Sequence, residues 1–266
     1  MLSIIVPWRD RQELAHAIGS ITARAVERGG TVHVINFGGD SAALAQQLGD
    51  HAAQVKVVNV ACNSWFNKAV ANNIGAAAVP GDILFFCDCD IVMPPAAAQL
   101  FDAVAAEPGV FGTIAGVRES RPNAREARNL ACFGYTLHLR LRNGRQLDIV
   151  DNEEDAEDGT RQAPGLLCVR RSDFESVNGY NGSFEGWGWE DQDMIARLTL
   201  GAGLRRVQHG VVTHLSHDDS ARTRHHPPQF ANRWESRDRM FRQALANYDD
   251  DCFEGTYRRD AAAWKA

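Results

Sequence analysis

The chain has no basic excess. Its 28 Lys and Arg are outnumbered by 34 Asp and Glu, for a formal net charge of −6. That balance argues against a dedicated nucleic-acid binder, which needs positive charge to displace counterions from phosphates. Nor is there an apolar run approaching the ~20 residues that cross a bilayer. The opening Met1-Leu2-Ser3-Ile4-Ile5-Val6-Pro7 is short and has no basic leader, so it does not read as a signal peptide. The expectation is a soluble, cytoplasmic chain with no transmembrane segment. Its 222–242 arginines leave room for peripheral contact with anionic lipid, although a solvated helix face is the simpler reading. The six cysteines form no CxxC pair, which disfavours a structural zinc. Several sit in apolar runs such as Phe85-Phe86-Cys87 and read as reduced, buried thiols in a reducing compartment. No internal repeat is present.

What remains is ordinary globular composition: 266 residues, 44% hydrophobic and 23% charged, ample for one large α/β domain. Leu2 to Pro7 is a short β-branched apolar run and reads as a buried strand. Leu14, Ala17, Ile18, Ile21 and Ala25 recur with helical spacing, and Gly29-Gly30 ends that helix. A strand over 31–36, a helix over 41–48 with Ser41 as its cap, a strand over 55–60, a helix over 66–78 and a strand over 82–87 follow. Strands alternating with helices imply a mostly parallel sheet flanked by helices. Ligands bind beyond the carboxyl ends of such strands. Pro7-Trp8-Arg9-Asp10, Asn36-Phe37-Gly38-Gly39 and Asp88-Cys89-Asp90 all lie there and are expected to converge on one crevice.

The second half is less regular. Residues 118–163 are rich in charge and turns, and the acidic block 151–159 reads as a solvated loop. Strands over 166–169 and 207–214 and a helix over 192–200 are expected. The division drawn is a domain over 1–220, with a nucleotide-binding half 1–95 and a catalytic half 96–220. A basic, partly helical extension over 221–266 follows.

Three motifs carry chemistry. Asp88-x-Asp90 places two carboxylates at a strand end, where they can reach one hard cation, with Mg²⁺ or Mn²⁺ favoured by oxygen ligands and substrate phosphates. His214-x-x-His217 ends a late strand; both imidazoles can join that metal if the chain turns there, and a mixed Asp/His set suits Mn²⁺ better than Ca²⁺. Gly186-Trp187-Gly188-Trp189-Glu190-Asp191-Gln192-Asp193 combines flexible backbone, indoles suited to a sugar face, and two acids at a helix N-terminus. One of those acids can take a proton from an acceptor hydroxyl; the plainer alternative is a helix cap with the tryptophans in the core.

Ile4 to Glu13, Val32 to Asp40, Phe66-Asn67-Lys68-Ala69 with Asn73-Ile74-Gly75, Asp88-Cys89-Asp90, Val177 to Tyr180 and Gly186 to Asp193 stand in the order of the motifs of the β-1,4-galactosyltransferase family. The chain resembles that family over roughly residues 4–95 and 164–235. The resemblance implies a GT-A fold and an inverting transfer from a UDP-sugar with Mn²⁺. It implies Asp191 as general base and Glu190 as a sugar-binding acid. Asp90, His214 and His217 would hold the metal, the pair standing where the family has Met-x-x-His, by spacing to Pro228-Gln229-Phe230. Asp88 and Trp187 would hold and cover the donor. Pro7, Arg9, Arg11, Phe66 and Lys68 would line the uridine diphosphate, with Asn36 grouped beside them.

Lys68 stands in place of the family's arginine, and a point charge replaces a bidentate fork. Trp189 replaces a glycine. Ala163-Pro164-Gly165-Leu166 does not match the family's donor-selecting Tyr-Phe-Gly-Gly, and 118–162 has no counterpart. The expected activity is therefore transfer of a hexose, of galactose or GalNAc type, to a glycan or glycoconjugate. The alternatives are another donor such as UDP-glucose or UDP-glucuronate, a peptide acceptor, or a non-catalytic nucleotide-sugar binder.

Overall fold

The computed structural model describes residues 1–121, 134–152, 159–218, 220, 224–227 and 232–266. Most of the acidic block, together with Cys132, Arg222 and Pro228-Gln229-Phe230, lies outside the described residues.

The first half is a βαβ series: β1 (Leu2–Trp8), α1 (Leu14–Val26), β2 (Thr31–Phe37), α2 (Ser41–Leu48), β3 (Val55–Val60), α3 (Lys68–Ala78), β4 (Ile83–Phe86), the two-residue β5 (Ile91–Val92) and α4 (Gln99–Ala106). β6 (Val110–Glu119) follows, then the hairpin β7 (Gly134–Arg140) and β8 (Gln146–Asn152), β9 (Thr160–Arg170), α5 (Arg171–Ser176), α6 (Glu190–Ala196), β10 (Arg205–His214), α7 (Arg233–Asp249) and α8 (Tyr257–Lys265). Eight strands form one mixed sheet in the order β3-β2-β1-β4-β9-β6-β10-β5. β1 runs parallel to β2 and β4, and β6 parallel to β10; β9 is antiparallel to β4 and β6. The expected helix-flanked, mostly parallel sheet is thus present.

Every residue of β1 is buried, as a strand covered on both faces requires. The apolar stripe of α1 packs beneath one face with Leu100, Phe101 and Val104 of α4. α3, α6 and α7 cover the other with Ile74, Met194, Met240 and Ala244. α3 approaches so closely that a Cβ on Gly75 would lie 2.4 Å from Ile5 Cγ2. No helix among the described residues is long and apolar enough to cross a membrane.

Two local expectations change. Asp40, not Ser41, caps α2: its Oδ1 accepts from the amides of Ala42 at 2.7 Å and Ala43 at 2.9 Å. α3 starts at Lys68 rather than Phe66, because Asn67 is its cap and accepts from Val70 N at 3.0 Å. The C-terminal segment is also not merely a solvated face. Met240, Ala244 and Tyr248 of α7 enter the core, while Arg239 and Arg242 remain exposed.

One buried amide joins three distant parts of the chain. Asn73 of α3 donates to Tyr180 O at 2.9 Å and to Asp260 Oδ2 of α8 at 2.8 Å, and accepts from Tyr180 N at 2.9 Å. Removing it strands buried polar groups on two partners. Asn73→Ala is expected to lower unfolding stability by about 3 kcal/mol, since each orphaned buried group costs on the order of 1–3 kcal/mol. A urea midpoint indistinguishable from the parent's would contradict this role.

Candidate active site

The ends of β1, β4 and β10 open into one cavity of about 310 Å³. Pro7, Arg9, Arg11, Phe66, Lys68, Asp88, Asp90, Trp187, Glu190, Asp191, His214 and His217 all line it. Asn36 does not. It is buried at the end of β2, where its side chain accepts from Gly39 N at 2.9 Å and donates to Asn59 Oδ1 at 3.0 Å. There it braces the Gly38-Gly39 turn rather than facing the cavity. Gly38 has φ +73°, and a Cβ there would meet Cys62 O at 2.4 Å, so only glycine fits that turn.

At one side of the cavity, Asp90, His214 and His217 bring ligand atoms within 4.8 Å of one another. The Nε2 atoms of His217 and His214 lie 3.2 Å and 3.4 Å from Asp90 Oδ2. Arg11 donates to the same oxygen at 3.0 Å. Burial alone would raise the Asp90 carboxyl, but hydrogen bonds from the two histidines and the charge of Arg11 hold it well below the usual carboxylate range. Asp90 Oδ1 is buried without a hydrogen-bond partner, an open lone pair in a set otherwise made of nitrogen donors. This one-carboxylate, two-imidazole set fits a divalent cation.

Glu119 was not anticipated. Its Oε2 lies 2.8 Å from His214 Nδ1, and Arg161 pairs with its Oε1 at 3.2 Å. Burial alone would lower His214; Asp90 and Glu119 together raise it. A carboxylate on Nδ1 turns Nε2 toward the cavity, the usual arrangement behind a metal-binding imidazole. Glu119 is placed by the parallel register of β6 with β10, in which it stands opposite His214. Only a long-range pairing reveals it.

At the other side, α6 begins at Glu190. Asp193 on its inner face is wholly buried and accepts from Arg197 Nε at 2.5 Å and Tyr248 OH at 2.8 Å. That anchor fixes the helix and turns Glu190 and Asp191 toward the cavity. Lys68 Nζ lies 2.8 Å from Asp191 Oδ2 and 2.8 Å from Asp88 Oδ1. Asp191 Oδ1 has no hydrogen-bond partner. Burial raises the Asp191 carboxyl above its ordinary range against the pull of Lys68. Burial and the neighbouring Asp191 charge push Glu190 up to about 7. The expected helix over 192–200 is α6 followed by a π-helical turn at Arg197–Gly201, so both acids lie in the first helical turn.

The Trp187 loop is clasped by α7. Trp187 N donates to Ser236 Oγ at 2.9 Å, and its indole packs edge-on against Trp234 with centroids 6.0 Å apart. The Arg233 guanidinium lies 5.1 Å from the Trp187 ring centroid and 4.5 Å from that of Trp234. Trp189 is core, packed on Phe241. The sequence marked these arginines only as a basic stretch; Arg233 and Arg237 both reach the cavity. So do His225 and His226, whose segment donates no motif but accepts a hydrogen bond from Phe66 N at His225 O, 2.8 Å.

The raised Glu190 carboxyl has a stability consequence. The folded chain holds a proton that the unfolded chain, near 4.5, releases first. Stability therefore falls as pH rises from about 4.5 to 7 and stays low above it. Glu190→Gln keeps an acceptor for Gly188 N, which donates to Oε2 at 3.0 Å. It is expected to melt higher than the parent at pH 8, by an amount on the order of 3 kcal/mol, with the gap closing below pH ~4.5. Equal melting temperatures at pH 8 would refute it.

A family model described as the N-terminal domain of galactosyltransferase matches residues 156–218. A comparison with curated proteins finds no match. Among solved structures, a mannosyltransferase from Pyrobaculum calidifontis in complex with GDP-Man and Mn²⁺ is similar at 14% identity, with a TM-score of 0.56, over 98% of this chain and 68% of that one. A Drosophila β-1,4-galactosyltransferase 7 variant in complex with manganese, UDP-Gal and xylobiose is similar at 21% identity, with a TM-score of 0.49, over 89% of this chain and 79% of that one. The first likeness shows the GT-A fold, and the family model matches the segment that carries Glu190, Asp191, His214 and His217.

Proposed function

We propose that the chain transfers a hexose from a UDP-sugar to a hydroxyl of a glycan or glycoconjugate, with inversion at the anomeric carbon. The observation that carries this is a single cavity with a cation-fitting Asp90–His214–His217 group at one side and, at the other, the Asp191 carboxylate, whose Oδ1 has no hydrogen-bond partner. Asp90, His214 and His217 would hold a divalent cation, which when bound would supply positive charge beside a departing diphosphate. Mn²⁺ suits the mixed oxygen and nitrogen donors.

The chain's own residues divide the remaining work. Asp191 accepts the acceptor's hydroxyl proton as that oxygen bonds to the anomeric carbon. The bond from that carbon to the diphosphate oxygen breaks, and its electron pair leaves with the diphosphate. Glu190, neutral near pH 7 for part of the time, can donate to or accept from a sugar hydroxyl. Pro7, Arg9 and Phe66 line the nucleotide end with His225 and His226, and Asp88 and Lys68 stand between donor and base. Trp187 lines the cavity with the two acids, where an indole face can stack on a sugar ring and exclude water.

The test is UDP release across a panel of nucleotide-sugars, with and without Mn²⁺. A UDP-hexose should be consumed in a Mn²⁺-dependent manner, and Asp191→Asn should lower transfer by about 10²-fold or more while retaining UDP and Mn²⁺ binding. UDP release at background from every donor would support a nucleotide-sugar binder instead. Near-parental turnover in Asp191→Asn would remove Asp191 from the role of base.

A further inference from the structure

Lys68 sits at the first position of α3, nearly buried, with both of its ion-pair partners at 2.8 Å. Asp88 reaches it from the end of β4 and Asp191 from the first turn of α6. The contact leaves the two Asp191 oxygens unequal: Oδ2 is paired, and Oδ1 is buried without a hydrogen-bond partner. A third element makes room for this arrangement. A Cβ on Gly165 of β9 would lie 2.6 Å from Asp191 Oδ2 and 2.9 Å from Lys68 Nζ. The backbone there has no positive φ, so conformation does not demand glycine. The space around the ion pair does.

We propose that Lys68 is the positioning residue for Asp191, holding its carboxylate ionised and turned so that Oδ1 faces the acceptor, and that Gly165 is the bare position that lets the ammonium and carboxylate meet. The role of Asp191 as base rests on the function proposed above; the tie itself does not. Three other groups and burial bear on Asp191. Asp88 and Glu190 add like charge, Tyr180 is a buried neutral phenol, and burial opposes ionisation. Lys68 is the cation set against all of them. Without it, the Asp191 carboxylate would keep Asp88 and Glu190 as neighbours with no ammonium beside it, and Asp191 would keep its proton to higher pH. A lysine suits the task because its ammonium is a compact point charge with three donors, able to serve two carboxylates from different directions.

The test is the carboxyl ¹³C titration of Asp191, its resonance identified by loss in Asp191→Asn. Lys68→Met is expected to raise the midpoint by about one pH unit or more, and Lys68→Arg to leave it nearer the parent's. Gly165→Ala should also raise it by spreading the pair. In turnover, the acidic limb of kcat should move upward in step. A midpoint unchanged in Lys68→Met would overturn the proposal. Should that variant fail to fold, an unmoved midpoint in Gly165→Ala would do so. The titration needs no turnover, so a parent chain that consumes no donor would refute the transferase reading and leave this result standing on its own.

Discussion

Five carboxylates, from Asp88, Asp90, Asp151, Glu190 and Asp191, line one cavity, and like charge at that density persists only with cations beside it. The chain resolves this unevenly. Around Asp90, two imidazoles and Arg11 make the carboxylate a permanent anion. Around Glu190 and Asp191, one lysine faces both acids and burial prevails, so their carboxyls rise. The cavity thus has an end suited to holding a cation and an end suited to moving a proton. Titratable groups whose surroundings push them apart are what acid–base chemistry near neutral pH requires.

Much of this was legible in the sequence, for identifiable reasons. β1, β2 and β3 are apolar, β-branched runs between glycine breaks, and α1 has a clean helical stripe, so local pattern sufficed. Asp88, Asp90, Glu190 and Asp191 stood at predicted element ends, where side chains are free to face a crevice. Glu119 was invisible because its role depends on which strand β6 lies beside. Gly165 was visible only as a departure from a family motif; its reason is the ammonium and carboxylate that would strike a Cβ. Asn36 was misleading because its strand end resembles the others, yet its amide turns inward to brace the Gly38-Gly39 turn. Arg233 and Arg237 were hidden among surface arginines, since only the packing of α7 distinguishes the face that meets Trp187.

Several residues that resemble family motifs act through structure rather than contact with a ligand. Asn73 joins α3 to the Tyr180 segment and to α8. Asp193 locks α6 to Arg197 and to Tyr248 of α7. Each is polar and buried, and each has its partners in parts of the chain far apart in sequence. Such groups cost stability if left unsatisfied, so they specify one mutual arrangement of the helices that carry Lys68 and Asp191.

The distribution of these charges along the chain bears on how the protein is made. Residues 1–95 contain Asp88 and Asp90 together with their own cations, Lys68 and Arg11. A ribosome extruding that segment first releases an acid-bearing edge that can already be neutralised in cis. Glu190 and Asp191 emerge later, and Asp191 pairs with Lys68 of the earlier segment. One ammonium on α3 thereby ties the late-made α6 to the half of the chain synthesised before it.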